Sequence, residues 1–139
     1  MKKQILLLLF AAAAISSFAQ CGKKLVFTSS KTEYLNSKNE LQRISDEETI
    51  VEFDSKTIAV MPGQEMMDGL ISSVTCDWKT AFKEGKMIIK TVLNGQDGRT
   101  MLTTITIEGK DGKITLLAEF DESPDRKIRL VADKFEEKK

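Results

Sequence analysis

The stretch from Lys86 to Phe120, KMIIKTVLNGQDGRTMLTTITIEGKDGKITLLAEF, constrains the fold most, because it reads as three β-strands joined by two Gly-marked turns. Met101, Thr103, Ile105 and Ile107 alternate with Leu102, Thr104, Thr106 and Glu108. Ile114, Leu116, Ala118 and Phe120 alternate with Lys113, Thr115 and Glu119. A period of two places one set on each face of a strand. GQDG from Gly95 and GKDG from Gly109 supply residues that tolerate positive φ, as tight hairpins require. An antiparallel meander follows.

The rest of the chain extends the pattern. Leu25 to Phe27 opens a strand that continues irregularly through Ser29 and Ser30 to Tyr34 and Leu35. Leu41 to Ser45, Thr49 to Asp54 and Thr57 to Met61 follow, then Leu70 to Trp78, on which Leu70, Val74, Cys76 and Trp78 share an inward face. Arg126 to Phe135 closes the series. Gln64 to Gly69 is predicted as a short helical turn, since Gln, Glu and Met favour helix and Gly69 stops it. The fold class is therefore all-β: a single antiparallel meander of about eight to nine strands closing into a small barrel, with a two-sheet β-sandwich as the alternative.

Lys2 and Lys3, the apolar run Ile5 to Ile15 and Ser17-Phe18-Ala19 form the three regions of a signal peptide, residues 1–19. The apolar run is short for a membrane span, so export to the periplasm or the medium is expected, with 20–139 as one domain. Cys21 and Cys76, the only cysteines, are expected to form a disulfide in that compartment. Lipid on Cys21 is the competing reading, disfavoured by Gln20 before it.

Removing Lys2 and Lys3 from 21 basic residues leaves a net charge of about −2 against 21 acidic ones. With no basic face, no nucleic acid is expected as partner. No histidine occurs in the chain, which removes His-dependent triads, His-ligated metals and the usual general base near neutral pH. Asp97-Gly98 and Asp111-Gly112 fail as calcium loops, because Leu93 or Ile107 would occupy the first ligand position. The acids around Asp46 and Asp121 sit on turns rather than across a cleft. No catalytic residue, metal site or cofactor is predicted, and a carboxylate-dependent enzyme ranks last.

The signal, the meander of short strands, the single Trp78 and the cysteine pair together resemble the lipocalin or calycin-like small barrels of exported bacterial proteins. Lipocalins place a Gly-x-Trp motif near their first strand, whereas Trp78 follows Cys76-Asp77, so no binding residue carries over. What the resemblance implies is a barrel and, by analogy, ligand binding. Hydroxyls interrupting an apolar lining make Thr91, Met101, Thr103 and Ile105 candidate binding residues, with Trp78 on the inner face. Met66 and Met67 are candidates for an adaptable lid between Pro62 and Gly69. The expected function is an exported, non-enzymatic protein that binds a small apolar ligand or an envelope protein, the alternative being a pocketless structural domain.

Overall fold

The computed structural model describes residues 21–138; the expected signal peptide lies outside the described residues. Eleven strands follow one another: β1 Leu25–Ser29, β2 Thr32–Leu35, β3 Leu41–Ser45, β4 Thr49–Phe53, β5 Thr57–Pro62, β6 Met67–Thr80, β7 Glu84–Asn94, β8 Thr100–Lys110, β9 Lys113–Phe120, β10 Ser123–Val131 and β11 Lys134–Glu137. No helix occurs among the described residues. The expected all-β class holds.

The meander of β7, β8 and β9 forms as its alternation requires. Asp111 and Gly112, at φ 54° and 82°, make the two-residue turn between Lys110 and Lys113. Both central residues take positive φ, which matches the twist of the flanking strands. At the other hairpin Gly98 has φ 81°, and the Asp97 carboxylate accepts the Arg99 N–H at 3.1 Å.

All eleven strands belong to one antiparallel sheet in the order β11-β1-β4-β5-β6-β7-β8-β9-β10-β2-β3. This ladder has two ends, β11 and β3, and is not closed into the expected barrel; nor are there two sheets of a sandwich. The strand number exceeds the expectation because two extended segments, Leu25 to Leu35 and Arg126 to Phe135, each break in two. Between β1 and β2 the Ser29 hydroxyl donates to the Lys31 carbonyl at 2.7 Å and accepts the Lys31 N–H, pinching the backbone. A comparable break separates β10 from β11. Only Ser30 and Lys31 link β1 to β2, although these strands lie near opposite ends of the order. The sheet therefore curls strongly enough to bring β1 and β2 together in space.

Inside the curl, strands β1 and β4 to β10 contribute to one apolar core. Phe27, Ile89 and Ile107 are fully enclosed. At one end the Phe135 ring lies 5.2 to 6.4 Å from those of Phe27, Phe53, Trp78 and Phe82. The Cys21–Cys76 disulfide, with Cα atoms 6.1 Å apart, pins the start of the described chain to β6 at this end.

Two local expectations are corrected. The Gln64 to Gly69 segment is not helical: Gly63 donates to the Glu48 carbonyl at 2.8 Å, and Met67 is already paired with Val60. Strand pairing overrides a weak helix preference, and the loop shrinks to residues 63–66. Leu70 does not share a face with Val74, Cys76 and Trp78. The register slips between Ile71 and Ser73, so a bulge at Ser72 turns Leu70 outward while Ile71 faces in.

Candidate functional site

Thr91, Met101, Thr103 and Ile105 meet on the inner face of β7 and β8, where Thr91 opposes Thr103 and Met101 opposes Leu93. Their polar atoms are engaged internally. Thr91 Oγ1 donates to the Leu70 carbonyl at 2.8 Å and Thr103 Oγ1 to the Met101 carbonyl at 3.0 Å. Thr91, Thr103 and Ile105 are buried, and Met101 is half-buried at their edge. Met67 is half-buried opposite Val60, and Met66 is exposed in the loop beside it. Trp78 is elsewhere, near the far end of β6, where its ring packs among the aromatics. Its Nε1–H is buried without an acceptor among the described residues. A Cβ added at Gly109 would come within 2.8 Å of the Trp78 ring, so glycine there is what admits the indole.

The outer face carries a feature that alternation conceals. Leu70 on β6, Val92 on β7 and Leu102 on β8 are direct cross-strand partners, forming a row perpendicular to the strands. They are 75%, 36% and 51% exposed. Beside this row, two residues along the strands and about 7 Å away, runs a second: Glu52, Ala59, Asp68 and Asn94, also direct partners across β4 to β7. Ala59 has a single methyl between two carboxylates. The open groove over it measures about 400 Å³ and reaches Met66, Thr57 and Leu70. A second open hollow, about 520 Å³, lies by Phe120, Pro124 and Lys127.

Charge around the groove is partly balanced. Lys138 Nζ lies 2.9 Å from both Glu52 oxygens. Asp54 accepts the backbone N–H groups of Thr57 and Lys56, which hold its carboxyl below the usual range, with a smaller contribution from the Lys24 charge. Elsewhere Arg129 donates to both Glu33 oxygens; these hydrogen bonds depress the Glu33 carboxyl and raise the guanidinium. Among the described residues no three His, Cys, Asp or Glu side chains gather as a metal site would need.

Sequence reading finds the buried Thr–Met–Ile patch but misses the outer row. Val92 and Leu102 were visible as apolar residues on the polar phase of their strands. Leu70 was not, because two serines give no sign of which one bulges. No family model, no curated protein and no solved structure matches the chain.

Proposed function

We propose that this chain is an exported, non-enzymatic binding domain, residues 20–139, that docks a partner protein on the outer face of β6, β7 and β8. The observation that carries the reading is the in-register row of Leu70, Val92 and Leu102, three large apolar side chains presented to water together. Single exposed apolar residues are ordinary, whereas contiguous ones mark contact surfaces. The enclosed Phe27, Ile89 and Ile107 and the internally bonded Thr91 and Thr103 favour an outward-facing function over an interior carrier. The disulfide is compatible with an oxidising compartment, and no described helix is long and apolar enough to cross a membrane. A bridged Cys21 has no thiol left to carry a lipid.

The reading includes a barrel of lipocalin-like architecture. Its support is the seam: Leu25 faces Glu137 and Thr28 faces Lys134, and beyond the break Thr32 faces Leu130 and Leu35 faces Lys127, without a slip in register. In this reading β1 with β2 and β10 with β11 act as one interrupted strand pair across which the curled sheet closes.

The decisive experiment is a double substitution, Leu70→Asp with Leu102→Asp, in protein produced in its own host. The unaltered protein should retain a stoichiometric envelope partner on mild crosslinking and the variant should not, with the unfolding temperature unchanged. Equal retention removes the outer row from the interface.

A second reading, a small apolar ligand at the end opposite the disulfide, is favoured by the half-buried Val60, Met101, Phe120 and Ile128 there. It predicts that Met101→Ser weakens uptake of a fluorescent apolar probe. Unchanged uptake, or none by the unaltered protein, dismisses it.

A further inference from the structure

The groove over Ala59 extends the docking reading toward the chemistry of the partner. Three carboxylates border it, and two already have cations from this chain: Glu52 is bound by Lys138, and Asp54 feels the charge of Lys24, which itself lines the groove. Asp68 is exposed and makes no ion pair among the described residues. It stands on β6 two residues from Leu70, on the same face, and directly opposite Ala59. The site thus has a shallow floor made by a methyl group, an unopposed negative charge on one wall and an apolar row along its edge.

We infer that this groove receives a lysine or arginine side chain of the partner protein, the aliphatic stem lying over Ala59, the cationic head beside Asp68, and adjoining apolar residues packing on Leu70 and Val92. A long basic side chain fits because its stem covers apolar surface while its head stays wet. The chain's own Lys138 makes the same kind of contact one strand pair away, on Glu52. A free metal ion does not fit, since one unpaired carboxylate offers too few oxygens. An acidic partner would meet Asp68 and Asp54 at once. The recognised unit is a basic residue flanked by apolar ones on a protruding or extended segment.

This inference rests on the outer-face docking reading, and the test separates the two. Two ten-residue synthetic peptides, one alternating Leu and Lys and the other alternating Leu and Glu, are titrated into isotopically labelled protein while backbone amide shifts are followed. The Lys peptide should move the amides of Ala59, Asp68, Leu70 and Val92. Its affinity should exceed that of the Glu peptide, fall with added salt, and drop about fivefold in Asp68→Asn, the upper range for an exposed ion pair. The Asp68 side chain is exposed, so the variant should keep the native amide spectrum.

If both peptides shift these amides equally and Asp68→Asn changes nothing, the cationic inference fails while the docking reading stands. If neither peptide moves this face, both fail. Shifts of the same amides on concentrating the protein alone would give the surface to a second copy of the chain and overturn the inference.

Discussion

Trp78 shows how one side chain can organise an end of the molecule and still bear an energetic flaw. Its ring fills space left by Gly109 and contacts Phe135, yet its Nε1–H is desolvated without an acceptor among the described residues. Trp78→Ala should therefore cost about 3 to 5 kcal/mol in urea unfolding, as removal of a large buried ring does. Trp78→Phe should cost under about 1.5 kcal/mol, because losing an unbonded donor offsets part of the lost volume. Equal losses in the two variants would mean that the indole N–H has a partner. Carboxylates supply a second residue-scale prediction. Asp54 and Glu33 are both held below their usual range in the fold, so each stabilises it above the unfolded carboxylate pKa of about 4 and loses that contribution as pH falls through its folded value. Asp54→Asn should lower the unfolding temperature at pH 7, and the gap from the unaltered protein should close toward pH 2. A gap that persists in acid would contradict the capping role of the ionised carboxylate.

At the scale of the element, β6 shows what the sequence conveys and what it leaves out. The β7 to β9 meander was legible because its alternation is clean and Asp111-Gly112 can occupy only a tight turn. The buried partners Thr91 and Thr103 were legible for the same reason. Strand β6 was not, since the Ile71-Ser72-Ser73 run looks like regular alternation until pairing with Thr91 and Lys90 fixes which serine is left over. The irregularity at Ser29 and Ser30 was legible, but not that it breaks the strand, and the break at Asp133 was hidden: the two depend on a hydroxyl bonding its neighbour and on the Asp133 N–H reaching the Thr28 carbonyl at 2.7 Å. Deleting Ser72 removes the extra residue, so Ser73 opposite Lys90 follows Ile71 opposite Thr91 directly, and Met67, Gly69, Ile71, Val74, Cys76 and Trp78 fall on one regular inward face. We expect the deletion variant, like Ser72→Ala, to stay folded at ambient temperature by circular dichroism. A deletion variant that unfolds would show that the bend made by the bulge is itself required.

For the whole molecule, the curled sheet, the packed interior and the single disulfide make one argument. The bridge spans 55 residues and ties the described start of the chain to the aromatic end, so a chain-entropy account gives it about 4 kcal/mol. Reduction, or Cys76→Ser, should lower the unfolding midpoint without altering the outer row on β6 to β8, and thiol titration of the denatured oxidised protein should find no free cysteine. With the core closed by Phe27, Ile89 and Ile107 and the apolar row turned to water, our proposal directs binding to the outer face. Native mass spectrometry of the protein purified from its own host tests that claim most directly. The account predicts the bare chain, or the chain with a protein partner; a stoichiometric apolar small molecule retained by the folded chain would contradict it.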